Sequence, residues 1–154
     1  MKDVREVAPG MTNAVQPMED VATAGQPAAE HLERLAEAGY KTVIDLRAEK
    51  EDRGFDEART VRDSGMEYEN IPVTPDTLSG EKFDRFRELM GDPERRPALV
   101  HCSSANRVGA LLIPYLILDE GKTREEALEV AARVGLQSEE LKEAALEYAG
   151  EESP

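Results

Sequence analysis

The feature that most constrains the fold is a pair of apolar runs joined by a short polar loop. Ala98, Leu99 and Val100 form a run typical of a buried parallel strand. Residues 108–118 form a longer apolar run, which suits a buried helix. A buried strand that leads directly into a buried helix is typical of a parallel α/β sheet. Such sheets bind ligands at the carboxyl ends of their strands, where this loop would lie.

The loop contains the chain's single cysteine, Cys102, and ends at Arg107. Small residues between them leave backbone N–H groups free to converge at the positive end of the helix. Such a nest stabilises a thiolate, and an arginine adds two parallel hydrogen bonds to an oxyanion. Taken alone, a cysteine after an apolar strand is more often an inert core residue. The combination with His101 and Arg107 instead predicts a sulfur nucleophile and an oxyanion site. The expected phosphate-binding residues are Ser103, Ser104, Ala105, Asn106 and Arg107.

The remaining pattern alternates strands with helices. Further strands are expected at 21–24, 42–46 and 66–73, and helices at 28–38, 55–64, 81–90, 123–134 and 138–149. We therefore expect an α/β fold with a mostly parallel, four- to five-stranded sheet flanked by helices. Residues 1–19, which include Pro9, Gly10 and Pro17, are expected to form an irregular arm. Residues 20–150 are expected to form a single domain and residues 151–154 a frayed tail.

The segment His-Cys-x-x-x-x-Arg, from His101 to Arg107, resembles the signature of protein tyrosine and dual-specificity phosphatases, which is usually one residue longer. The shorter form is similar to the bacterial β-lactamase-hydrolase-like phosphatase family. Segments 23–27 (Thr-Ala-Gly-Gln-Pro), 38–47 and 65–73 also resemble that family, in the same order. The resemblance covers about residues 20 to 120, and it implies a cysteine-phosphatase-like fold for the domain.

The resemblance also implies the chemistry of a phosphoric monoester hydrolase. Cys102 would attack as a thiolate, and water would hydrolyse the resulting phosphocysteine. Arg107 and the loop N–H groups would hold the phosphate oxygens. His101, whose side chain alternates with that of Cys102 along the strand, is expected either to orient the loop or to be a buried core histidine. Asp76 occupies the place of the family's acid and would protonate the leaving group, with a turn or helix-cap aspartate as the alternative.

Two positions depart from the phosphatase pattern. Glycine is usual where Ala105 or Asn106 stands, and a Ser or Thr is usual where Val108 stands. In the larger families that hydroxyl helps the thiolate to leave the phosphocysteine, so its loss affects turnover more than binding. Two alternative functions stay open, the first because of the short loop and the second because of the missing hydroxyl. One is a rhodanese-like sulfurtransferase, which has a similarly short loop and would carry a persulfide on Cys102. The other is an oxyanion-binding module with weak catalysis.

Three other arginines receive a structural interpretation. Arg47, at the end of an expected strand, is expected to form a structural ion pair, with a place in the lining of the site as the alternative. Arg124 and Arg133 lie on later expected helices, and their substitution is expected to have little effect on the loop.

Composition limits the partners. A net charge of −14 makes nucleic acid and anionic membranes unsuitable, so the expected partners are a phosphorylated protein or small molecule and oxyanions such as phosphate or sulfate. One cysteine and two histidines predict neither an internal disulfide nor a metal site, and no cofactor is expected.

The first residues lack an apolar signal segment, which predicts a cytoplasmic protein, or an exported one if a leader has been trimmed before Met1.

Overall fold

A five-stranded sheet forms the centre of the chain in a computed structural model that describes residues 2–74 and 78–150. The strands are β1 (Val15–Met18), β2 (Val21–Ala24), β3 (Thr42–Asp45), β4 (Glu67–Asn70) and β5 (Ala98–His101). Their spatial order is β1-β2-β5-β3-β4, with β1 antiparallel to β2 and the other neighbours parallel. The predicted α/β fold with a mostly parallel sheet is confirmed.

Helices cover both faces of this sheet. They are α1 (Val4–Val7), α2 (Ala29–Glu37), α3 (Glu57–Asp63), α4 (Gly80–Met90), α5 (Asn106–Pro114), α6 (Arg124–Val134) and α7 (Glu139–Tyr148). The first three pack on one face and the last four on the other. A π-helical turn, Tyr115–Asp119, continues α5 beyond its terminal proline. Within the described residues, no helix combines the length and apolar character needed to cross a bilayer.

The central strands divide the core into two layers. Successive side chains of a strand point to opposite faces, so one strand serves both layers. Val43 and Leu99 pack with α2 and α3, whereas Ile44 and Val100 pack with α4 and α5. Because β3 and β5 are buried on both faces, apolar residues stand at successive positions in each strand, Val43 and Ile44 in β3 and Ala98 to Val100 in β5, rather than alternating with polar ones.

The expectation of an irregular arm over residues 1–19 is corrected by two elements. Asp3 caps α1 by accepting a hydrogen bond from the backbone N–H of Arg5, at 2.9 Å. β1 then pairs with β2 and extends the sheet at its edge. Pro17 suggested an irregular segment, but a strand at the edge of a sheet has N–H groups without partners, so it tolerates a proline.

We expect Gly109→Ala to destabilise the fold by about 1–3 kcal/mol, the usual cost of overpacking a core. A Cβ at this position of α5 would lie 2.8 Å from the Cβ of Leu136 and 2.9 Å from the carbonyl oxygen of Ala131. Urea denaturation would measure the change in the free energy of unfolding. Gly80→Ala is the matched control, because its Cβ would meet only Tyr148 at 3.9 Å. Equal stability of the two variants would contradict the described packing of α5.

Candidate active site

Three strand ends meet at the loop that carries Cys102. β2, β5 and β3 are parallel neighbours, so their carboxyl ends share one edge of the sheet. The backbone N–H of Gln26, after β2, donates to the carbonyl of Ser103 at 3.2 Å. The backbone N–H of Leu46, after β3, donates to the carbonyl of His101 at 2.9 Å. The loop between β5 and α5 is therefore attached to both neighbouring strands.

The loop turns sharply beneath the start of α5. Cys102 and Ala105 are fully buried, whereas Ser103 and Ser104 are exposed. Ala105 has φ +76° and ψ 2°, the left-handed conformation, which costs a residue with a Cβ about 1–2 kcal/mol. This geometry explains why glycine is usual in loops of this type, and it places a local strain at the turn into α5.

The backbone donors of the loop have no acceptor among the residues that the structure describes. They are the N–H groups of Ser103, Ser104, Ala105, Asn106 and Arg107. The carbonyls, by contrast, bond to groups outside the loop: Ser104 accepts from Asn13 Nδ2 at 2.9 Å, and Ala105 accepts from the N–H of Gly109 at 3.2 Å. An array of unused N–H groups at a helix N-terminus is suited to an oxyanion.

Arg107 presents one edge of its guanidinium for a ligand. Glu51 accepts from Nη1 at 2.8 Å and from Nη2 at 2.9 Å, and the carbonyl of Val73 accepts from Nη1 at 3.0 Å. A guanidinium has five N–H donors, so two of them, one on Nε and one on Nη2, have no hydrogen-bond acceptor among the described residues. These two lie side by side and match two oxygens of a phosphate. Glu51, and then the Cys102 sulfur, raise the pKa of Arg107.

Glu51 is one of the site residues that the sequence pattern did not reveal. The hydrogen bond from Arg107 is the main cause that lowers its pKa to about 2, and the backbone N–H of Ala48 and the side chain of Arg47 add to the effect. The stabilisation from this ion pair is therefore complete above the ordinary pKa of a glutamate and is lost only as the pH falls through about 2. The predicted ion pair of Arg47 is present, and its partner is Glu51, four residues later. This spacing of opposite charges is the signal in the sequence that points to Glu51.

A buried polar network supports the loop from below. His101 Nε2 lies 2.5 Å from Glu57 Oε2, and its Nδ1 lies 3.4 Å from the carbonyl oxygen of Cys102. Arg53 donates to Asp45 at 2.6 Å, and Gln26 donates to Glu57 at 2.6 Å. Burial, followed by the hydrogen bond to Asp45, raises the pKa of Tyr68.

The same network contains a group of potential metal ligands, Asp45, Glu57 and His101, whose ligand atoms lie within 4.8 Å of one another. Both carboxylates already accept short hydrogen bonds from protein donors, Asp45 from Arg53 and Glu57 from Gln26. Their positions are thus accounted for by hydrogen bonding. This arrangement favours an interpretation of the cluster as a support for the loop.

Asp76 lies outside the described residues. Val73, three residues before Asp76, is the nearest part of this segment whose contacts are described. Its N–H donates to the carbonyl of Leu46 at 3.0 Å, and its own carbonyl accepts from Arg107. Val108, the position where a hydroxyl is usual, is fully buried in α5.

Comparisons with known proteins agree with this fold. The family model described as PTP-NADK, DSP-PTPase phosphatase fused to NAD+ kinase, matches residues 7–148. A β-lactamase hydrolase-like protein of Agrobacterium fabrum is 29% identical over 110 residues, which is 69% of this chain and 25% of that protein. The chain thus spans about a quarter of the length of this curated relative.

Two solved structures show the same fold. A putative phosphatase (DUF442) from Shewanella putrefaciens has a TM-score of 0.79 and 21% identity, over 95% of this chain and 97% of that chain. A variant of TpbA from P. aeruginosa, in complex with pTyr, has a TM-score of 0.65 and 20% identity, over 92% of this chain and 90% of that chain. Because the family model matches most of the sequence, this chain belongs to the PTP-NADK family of DSP-PTPase phosphatase domains.

Proposed function

We propose that the protein is a cysteine-dependent phosphatase that hydrolyses phosphate monoesters, either phosphotyrosine in proteins or a small phosphoester. The observation that carries this proposal is the orientation of Arg107 beside Cys102. Its Nε donor and one Nη2 donor lie side by side without an acceptor among the described residues, so they are available to a ligand. Membership of a phosphatase family favours this function over sulfur transfer.

The reaction would proceed in two displacements at phosphorus. In the first, the Cys102 thiolate forms an S–P bond while the bond from phosphorus to the leaving oxygen breaks, and Asp76 donates a proton to that oxygen. In the second, water attacks the phosphocysteine, its proton returns to Asp76, and the S–P bond breaks to release phosphate and the thiolate. The loop N–H groups and Arg107 stabilise the equatorial oxygens in both transition states.

We expect Arg107→Lys to keep the fold and to lower kcat/KM for p-nitrophenyl phosphate by about 100- to 1,000-fold, the usual cost of removing an oxyanion donor. Lysine keeps the charge but has no planar fork to share between Glu51 and the phosphate. Steady-state kinetics and circular dichroism would test this. Arg59→Lys is the control, because the Arg59 side chain is 79% exposed. Unchanged kinetics in Arg107→Lys would contradict the assigned role of the fork.

Glu51→Gln tests whether Glu51 positions Arg107 or competes with the ligand. If it positions the fork, the variant lowers kcat/KM by about 10- to 100-fold, since small misplacements of a catalytic group have effects of this size. Inorganic phosphate would also bind less tightly in a calorimetric titration. Tighter phosphate binding in the variant would reveal competition instead. Glu88→Gln, which alters a surface pair with Arg85, serves as the control.

Asp76→Asn distinguishes a general acid from a turn residue. As an acid, Asp76 matters most for poor leaving groups, so the variant should lower the rate on phenyl phosphate by about 10²- to 10⁴-fold and that on p-nitrophenyl phosphate much less. Stability should barely change, because Asn and Asp cap turns and helices similarly. Asp84→Asn, on α4, provides the comparison. An equal effect on both substrates would remove Asp76 from the mechanism.

A further inference from the structure

Two cavities that differ in their charged residues lie near the site: one contains Glu51, the partner of Arg107, and the other borders the loop at Ser104. The first has a volume of about 520 Å³, and its charged lining is mostly acidic: five carboxylates, Glu49, Glu51, Asp52, Asp56 and Glu57, against two arginines, Arg53 and Arg62. The other has a volume of about 310 Å³ and lies on the side of Ser104. Its lining has no carboxylate among the described residues: Asn13, Ala14, Val15, Ser104, Arg133, Val134, Gly135 and Gln137. In a chain with a net charge of −14, it is distinctive that Arg133 is the one charged residue in the described lining of this cavity.

Arg133 is the cation of this second cavity. It is exposed in the last turn of α6, and no carboxylate of the described residues lies within ion-pair distance of it. Most arginines of this acidic chain, by contrast, have such a partner, for example Arg87 with Asp119 and Arg96 with Asp20. The sequence predicted no role for Arg133 at the loop, because 26 positions separate Arg133 from Arg107 and only the fold places it beside Ser104.

The walls of this cavity are attached to the active loop on both sides. Asn13 donates through Nδ2 to the carbonyl of Ser104, at 2.9 Å. On the other side, the Asn106 side chain accepts from the backbone N–H of Gln137 at 2.8 Å. A ligand in the cavity would therefore meet Arg133 together with the side-chain amides of Asn13, which is bonded to the loop directly, and of Gln137, whose backbone is bonded to the loop.

We propose that this cavity is a subsite for a second anionic group on the substrate, a carboxylate or a second phosphate. The proposal rests on the proposed function, since it assumes that the first phosphate lies in the Cys102 loop. Arg133 would bind the second group through its planar fork, and the amides of Asn13 and Gln137 would add neutral hydrogen bonds. The enzyme would thus prefer phosphate monoesters that carry a further negative charge near the ester, although its own net charge repels anions.

The test compares two ligands that differ only in charge, 3-carboxyphenyl phosphate and 3-carbamoylphenyl phosphate, together with their 4-substituted isomers. Binding is measured by calorimetry in a Cys102→Ser background, which prevents turnover. We expect the carboxylate to bind about three- to tenfold more tightly than the amide for at least one isomer, the range for a charged hydrogen-bonded pair with partial solvent screening. Arg133→Gln should bring this ratio to one or below.

Arg34→Gln is the matched control, because it removes the same charge from α2 on the other face of the sheet, and it should keep the preference. A cation in the last turn also stabilises a helix, so a purely structural Arg133 would change stability but not the ratio. Absence of a preference for either isomer, or an equal preference in Arg133→Gln, would overturn the subsite. Hydrolysis of 3-carbamoylphenyl phosphate by the unmodified protein tests the phosphatase proposal separately.

Discussion

The parallel pairing of β5 between β2 and β3 is the constraint on which the rest of the site depends. It brings the ends of three strands to one edge of the sheet and makes the connection from β5 to α5 the centre of that edge. Hydrogen bonds from Gln26 and Leu46 then attach this connection to its neighbours. The nucleophile candidate, Cys102, is buried at the base of the resulting cradle.

Arg107 is the cation of this cradle, and Glu51 balances part of its charge before any ligand binds. Glu51 binds the far edge of Arg107, which fixes the guanidinium and leaves its Nε edge for an oxyanion. A low pKa keeps Glu51 ionised throughout the neutral range. Under the proposal of a subsite at Arg133, a further negative charge of the substrate would lie on the Arg133 side, away from the mostly acidic cavity that contains Glu51.

The sequence predicted those features that are encoded locally. The apolar runs, the loop from Cys102 to Arg107 and most helices follow from neighbouring residues, and the structure places them within a few positions of expectation. Glu57 and Asn13 could not be identified in this way, because their partners lie far along the chain and meet them only through the fold. Glu51 has a local signal in its spacing from Arg47, but its bond to Arg107 also depends on the fold. β1 was missed because Pro17 is compatible with an edge strand as well as with an irregular segment.

The central claim is that Cys102 is the nucleophile, and its most direct test is to trap the covalent intermediate. The protein would be mixed with p-nitrophenyl phosphate, quenched within the first turnover and analysed by peptide mass spectrometry. We expect one added phosphoryl group on the peptide that contains Cys102. The phosphocysteine should accumulate in part because Val108 supplies no hydroxyl to assist the second step. Cys102→Ser should form no phosphocysteine and lose turnover. Full turnover in Cys102→Ser would show that Cys102 is not the nucleophile.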